Sequence, residues 1–281
     1  LFAEDHFLSG DDPGSGEYAP AVLGGQNPTL IGWDTAWIKA GNDDVSGNPI
    51  GLSYPGLQTA GGRGTTPDGT RSGHVLTEPF TASTVGTYYL SILLRLDSDD
   101  PTKYRSFELQ SGGFDDAAHR TLQLGQYAGD FGADGYGLRL LNNDGYRVDL
   151  GPADTDANLF VLKFDLSSAG NADAVTVWRN PGSLGGAEPA GGITLSGFDM
   201  EFDRLSFAHW VSGPGAPGLN FDEIRIGASW ADVTPPGTSP AFLIYEFDDG
   251  TLQGWTDLTV PNGNWGPQHW EVAGGGDAQA G

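Results

Sequence analysis

The turn DSDD groups Asp97, Asp99 and Asp100 within four residues. Carboxylate and backbone carbonyl oxygens gathered at a loop corner suit a hard cation, and Ca2+ is the ion that such a corner would take. Asp97 and Asp99 are therefore candidate ligands. The same turn is also stable in solvent, where Asp bonds its own backbone. A second chemistry is sugar stacking. Trp33 and Trp37 lie in the turn-forming segment LGGQNPTLIGWDTAWIKAG (23–41). An indole ring offers a large apolar face to the C–H face of a sugar, so an exposed Trp33 or Trp37 beside a concave sheet would serve as a glycan platform. Trp178, Trp210 and Trp230 sit in or beside strand-like sequence and read as packing. The chain has no Cys, which removes thiol nucleophiles, Cys zinc sites and disulfide staples. It also lacks a Gly-x-Ser-x-Gly elbow and EF-hand spacing.

These residues must be positioned by strands. Residues 158–181, NLFVLKFDLSSAGNADAVTVWRNP, hold two alternating stretches, Leu159–Leu166 and Ala174–Trp178, joined by a turn rich in Ser, Gly, Asn and Asp. That pattern predicts an antiparallel hairpin on a half-buried sheet. Further strands are expected at Ala3–Leu8, Tyr88–Leu96, Ser106–Gln110, Thr121–Tyr127, Tyr136–Leu141, Phe202–Trp210 and Asn220–Ile226, with shorter edge pieces at 52–57 and 74–80. Leu90, Ile92, Leu94, Phe107, Leu109, Leu122, Leu124, Leu138, Leu140, Phe160, Leu162, Phe164, Val175, Val177, Leu205, Phe207, Phe221, Ile224 and Ile226 are the expected inward positions. Phe221 and Ile224 conflict in strict period, which predicts a bulge between them. Many short strands separated by Gly, Asp and Asn clusters point to a sandwich rather than βαβ units. TPPGTSP (234–240) forms an extended, Pro-rich link. Beyond it, 241–281 restarts with a strand at 242–247, FLIYEF. About 40 residues are too few for a module of their own. This segment is therefore the start of a second β module, or a strand donated to another sheet.

The chain has 281 residues with 13 basic against 37 acidic, a formal net charge of −24. Phosphate contacts need Lys and Arg, so nucleic acid and anionic membrane surfaces are excluded as expected partners. No apolar run approaches the ~20 residues needed to cross a bilayer. A start at Leu1 rather than Met suggests a processed or cut N-terminus.

The 158–181 hairpin, followed by LNFDEIRIGASWADVTP (219–235), resembles the late strands of concanavalin A-like (laminin-G-like) jelly rolls in secreted, multidomain proteins of marine and environmental bacteria. The "GGQN…GW…W" run at 24–37 is similar to an opening seen in the same group. FDDGTLQGW (247–255) resembles the opening of carbohydrate-binding and adhesive modules. The resemblance implies an all-β concanavalin A-like sandwich over 1–233. It also implies a structural Ca2+ between first and last strands, matching Glu4 or Asp5 with Asp222 or Glu223. A further Ca2+ position is implied at Asp248 and Asp249.

Enzymes on such scaffolds carry recognisable motifs. The β-glucanases use Glu-x-Asp-x-x-Glu on one strand. Here Glu201-Phe-Asp203 lacks the third acid, and adjacent Asp222 and Glu223 face opposite sides of a regular strand. The lyase-like members use His and Tyr with Arg, Gln or Asn. His74, His119, His209, Tyr104, Tyr127, Tyr136, Arg105 and Arg139 supply the types but not the motifs. The sequence thus speaks more against an enzyme than for one. The expected function is a secreted or cell-surface, non-catalytic module that binds a polysaccharide or other glycan, or adheres, with structural Ca2+. One alternative is a subunit of a surface layer or extracellular filament, self-assembling through 242–247 or the N-terminal strand. The other is a polysaccharide-degrading enzyme.

Overall fold

Alternation of apolar and polar side chains becomes two stacked sheets in the computed structural model. The structure describes residues 1–5, 23–26, 31–34, 36–41, 45–100, 103–114, 117–126, 135–141, 143–210, 218–237, 270–273 and 277–280. The expected strand at 242–247 and the candidate ligands Asp248 and Asp249 lie outside the described residues.

The strands run β1 (Ala3–Asp5), β2 (Ile38–Lys39), β3 (Ser46–Asn48), β4 (Arg63–Thr65), β5 (Arg71–Phe80), β6 (Gly86–Leu96), β7 (Tyr104–Gln110) and β8 (Arg120–Gln126). They continue as β9 (Gly135–Leu140), β10 (Asn143–Pro152), β11 (Asn158–Leu166), β12 (Asp173–Arg179), β13 (Ile193–Phe198), β14 (Phe202–Trp210) and β15 (Leu219–Gly227). A single helical turn, α1 (Trp230–Val233), follows. One sheet has the order β13-β12-β11-β6-β15-β4-β3, with β1 also paired to β15. The other has the order β10-β9-β8-β7-β14-β5-β2. Neighbouring strands are antiparallel throughout, and the fold is an all-β jelly-roll sandwich. The predicted hairpin is β11–β12, with Leu162 opposite Val177.

The chain divides into two compact units, Leu1–Gly237 and Thr238–Gly281. In the second, β16 (Trp270–Ala273) and β17 (Asp277–Ala280) form an antiparallel hairpin. Part of the Pro-rich stretch expected to be a link belongs to the first unit. Gln58 N donates to Pro235 O at 2.8 Å, and Gly237 N to Gly56 O at 2.9 Å. No helix among the described residues is long and apolar enough to cross a membrane.

All the inward positions read from the sequence fall in the core between the sheets. The expected bulge is present on β15, between Asp222 and Arg225, where Glu223 takes φ of 54°. Sequence patterning left three strands wholly or partly unpredicted. β5 is buried on both faces at residues 71–74, so it shows no polar side there. β10 carries Asn, Asp, Gly and Pro, and β13 is a mostly exposed edge strand with only Phe198 buried. β10 turns Tyr146, Val148 and Leu150 to the core and β13 turns Leu195 and Phe198, but the Asn, Asp, Gly, Ser and Pro around them blur the period.

A second apolar cluster covers the outer face of the eight-stranded sheet. It joins Leu52, Leu57, Tyr89, Leu93, Leu159, Val161, Trp178, Trp230 and Val233. The helical turn α1 seats Trp230 there, edge-on to Trp178 at 5.1 Å. Its capping box holds the turn: Asp232 N donates to Ser229 Oγ at 3.2 Å, and Ser229 N to Asp232 Oδ2 at 3.0 Å. Ser229→Ala is expected to cost about 1 kcal/mol. In a unit of this size that lowers the thermal midpoint by about 2–4 °C, which calorimetry would resolve. An unchanged midpoint would mean the cap contributes nothing.

Candidate functional site

The indoles expected to offer a sugar platform are in the core. Trp33 is 8% exposed and Trp37 is 2% exposed. Trp33 bridges to Leu76 on β5, donates from Nε1 to Glu4 O at 3.0 Å and stacks on His74 at 4.7 Å. Trp37 lies 6.2 Å from both Phe207 and Phe221. The reason is the chain path. The 31–39 segment crosses the β5 edge of the sandwich, and large rings are needed to fill that end between the sheets. The exposure expected of Trp33 and Trp37 is thereby corrected, since neither ring faces solvent.

The polar face lies elsewhere. With the outer side of the eight-stranded sheet covered by the Trp178–Trp230 cluster, the outer side of the seven-stranded sheet remains. Phe107, Leu109, Leu122, Leu124, Leu138, Leu140, Leu205 and Phe207 point into the core, so the residues between them point outward. Strand register then places one row across six strands: Arg147 opposite Arg139, Arg139 opposite Gln123, Gln123 opposite Glu108, Glu108 opposite Ser206, and Ser206 opposite Gly73. At about 4.8 Å per strand the row is about 24 Å long. A parallel row sets Arg120 opposite Gln110, and Gln110 opposite Arg204.

Glu108 organises this face. It is fully buried. Its carboxylate accepts from Tyr104 Oη at 2.7 Å, Ser106 Oγ at 2.9 Å, Gln110 Nε2 at 2.6 Å and Gln123 Nε2 at 3.4 Å. Arg120 Nε stands 3.3 Å from it and Arg71 Nη2 3.9 Å. Gln123 Nε2 also donates to Tyr104 Oη at 2.5 Å, while Gln123 Oε1 accepts from Arg139 Nε at 2.9 Å. Burial, and then the Glu108 charge, raise the Tyr104 pKa, so the phenol stays protonated. Two buried polar atoms on the same face, Ser206 Oγ and Gln110 Oε1, make no hydrogen bond. Such groups are costly unless a water or ligand meets them.

Of the residues considered for proton transfer, Tyr104 and Arg139 share this face. His74 and His209 point to the core side, as do Arg105 and Tyr136 at one end of it. Tyr127 lies outside the described residues. Glu108, Gln123 and Ser206 were not singled out in the sequence. Their alternation was visible, but their alignment depends on register.

The proposed Ca2+ ligands divide. Asp97 accepts from Asn220 Nδ2 at 2.6 Å and pairs with Arg95 at 3.4 Å. Asp99 is exposed. Asp100 pairs with Lys103 at 3.5 Å. Asp5, Asp222 and Glu223 are all fully buried at the junction of β1 and β15. The bulge at Glu223 lets both acids of the adjacent pair be buried, against the opposite-face expectation for a regular strand. Asp222 Oδ2 accepts from Leu52 N at 2.7 Å, and Glu223 Oε1 from Ala60 N at 2.5 Å. Glu223 also pairs with Arg225, whose Nε reaches Glu4 at 3.2 Å. Burial, then Glu223, with Asp5 adding, push the Asp222 pKa up to about 9. A methyl group on Gly51 would lie 2.7 Å from Gly61 O, 3.0 Å from Asp222 Oδ2 and 3.3 Å from Gly62 O. Three oxygens therefore converge on a spot that only glycine leaves open. Among the described residues, no three acidic or histidine side chains surround one point.

The N-terminal strand, one candidate for exchange between chains, is paired with β15 of its own chain.

No protein-family model matches the sequence, and no curated protein matches it. Solved structures do. The chain is similar to a botulinum neurotoxin type G receptor binding domain, at 10% identity and a TM-score of 0.42, over 76% of this chain and 50% of that one. It is similar to a botulinum neurotoxin serotype D binding domain, at 11% identity and a TM-score of 0.43, over 75% and 48%. It is also similar to cellulose induced protein, Cip1, at 15% identity and a TM-score of 0.41, over 69% and 91%. The chain spans about half the length of the toxin chains.

Proposed function

We propose that this chain is a secreted or cell-surface concanavalin A-like module that binds a glycan without chemically altering it. The ligand lies across the outer face of the seven-stranded sheet. The observation that carries this reading is the accessible end of the outer row, where Arg147 is exposed and Arg139 half-buried, positioned by the fully buried Gln123, Glu108 and Ser206 beside them. Donors set side by side on neighbouring strands, and held in place by a buried hydrogen-bond network, suit the hydroxyls of a sugar chain. A Ca2+ held by Asp222 with the carbonyls of Gly61 and Gly62, near Asp5, would stiffen the β1–β15 junction. The oxygen-only donor set suits that ion.

Affinity electrophoresis against a panel of soluble polysaccharides tests the reading. Retardation by at least one polymer is expected. Gln123→Ala, which removes hydrogen bonds to Tyr104, Glu108 and Arg139, should weaken it about tenfold. Retardation by no polymer, or a Gln123→Ala variant that binds unchanged, would refute it. Shortened polymer after incubation would replace binding with cleavage.

A further inference from the structure

We infer that a pocket at one end of the sandwich, walled by Phe2, Phe80 and Tyr88 and carrying the Glu78 carboxylate, binds a methylated ammonium group. The inference is independent of the glycan reading and concerns a different part of the molecule. The pocket has a volume of about 260 Å3, below the ~300–1,000 Å3 of sites for drug-sized ligands, so it takes a small group. It lies between the sheets. β1 and β15 give Ala3 and Ile226, which are direct partners, and β5 gives Leu76. The local register opens it: between Phe80–Phe202 and Val75–Arg204, five positions on β5 are set against two on β14.

The three rings are set at angles to one another. Phe2 and Tyr88 lie 5.7 Å apart with planes 56° apart, and Phe80 and Tyr88 lie 4.9 Å apart at 86°. Phe80 is fixed from behind by Phe202, stacked on it at 4.4 Å. Aromatic faces carry the negative side of the ring quadrupole, and they attract a cation that sheds its water. A methylated ammonium does so readily and brings apolar surface for the same rings.

The polar groups point the same way. Tyr88 Oη donates to Val85 O at 3.3 Å, and Thr84 Oγ1 accepts from Thr81 N at 2.9 Å. The Glu78 carboxylate makes no hydrogen bond or ion pair among the described residues. Glu78 lies between Leu76 and Phe80, which belong to the core, and lines the pocket with them. A neutral apolar ligand would cover this carboxylate without pairing it, at a cost. An anion would meet both Glu78 and a chain of net charge −24. A soft cation satisfies rings and carboxylate together.

Titration with choline, followed by methyl NMR of Leu76 and Ile226, tests this. The controls are 3,3-dimethylbutanol, the neutral isostere of choline, and potassium chloride. Choline is expected to shift both methyl signals and to bind about tenfold or more tightly than the isostere. Glu78→Gln should weaken choline about tenfold and leave the isostere unchanged. Phe2→Leu, which keeps an apolar side chain but removes a ring, should weaken it about threefold. Phe2 and Glu78 are both exposed, and the thermal midpoint checks that both variants fold. Phosphatidylcholine vesicles distinguish the source: sedimentation with them, lost in Glu78→Gln, assigns a lipid headgroup, and choline binding without sedimentation assigns a soluble ammonium compound. No shift at Leu76 and Ile226, equal affinity for choline and its isostere, or the same shifts with potassium chloride would overturn the inference.

Discussion

Glu108→Gln is expected to destabilise the sandwich by about 3–5 kcal/mol, the cost of leaving a buried charge without its partner. The carboxylate is fully buried, with Arg71 and Arg120 beside it and four side chains donating to it. Glutamine keeps the shape but removes the charge. The guanidinium of Arg71, itself only 3% exposed, then has lost its anion. Its amide NH2 also meets the donors of Tyr104, Ser106 or Gln110 head-on. Urea unfolding read by tryptophan fluorescence measures the loss. Arg71→Met added to Glu108→Gln should restore a large part of it, because the uncompensated cation is gone. A single-variant loss below about 1 kcal/mol would mean that the cluster is solvated like a surface pair.

Raising the pH from 7 to 8.5 in EDTA is expected to cost about 2 kcal/mol of stability, through Asp222. In the native state Asp222 keeps its proton to about pH 9, whereas the unfolded group loses it near 3.8. Between those values the native state binds the additional proton, so stability falls as pH rises, by about 1.4 kcal/mol per unit. Burial lowers the pKa of His209 from 6.5. Its effect has the opposite sign and is confined to pH below about 6.5, so the window above 7 isolates Asp222. Ca2+ at the carboxylate favours the ionised form. Adding it should flatten the profile and raise the unfolding midpoint. Asp222→Asn should remove both the slope and the response to Ca2+. A flat profile in EDTA would mean that no proton is held there. A slope that Ca2+ leaves unchanged would sink the metal reading alone.

Period-two patterning made the core legible. In YRSFELQ, Phe107 and Leu109 announce their face without any partner strand. The same alternation places Tyr104, Ser106, Glu108 and Gln110 on the other face, where they look like ordinary solvent-facing residues. Only register, which pairs residues as far apart in sequence as Gly73 and Ser206, turns them into a line. Trp33 and Trp37 mislead for a related reason. Gly, Pro and Asn around them signal a loop, and loops usually lie on the surface. This one is drawn across an open end of the sandwich, where its aromatic rings are the filling. At Asp222–Glu223, adjacency implied opposite faces. A bulge with one residue in the left-handed region overrides that rule.

The Pro-rich exit has a mechanical consequence. Tension on the chain beyond Gly237 is met first by the Leu57–Pro236 bridge and its two flanking hydrogen bonds. Next in series come the Thr234 contacts and the turn that seats Trp230. β15, hydrogen-bonded to β6, β4 and β1 and buried along its whole length, is reached last. A pull from that side therefore peels a short clasp, bond by bond, before it loads the sheet in shear.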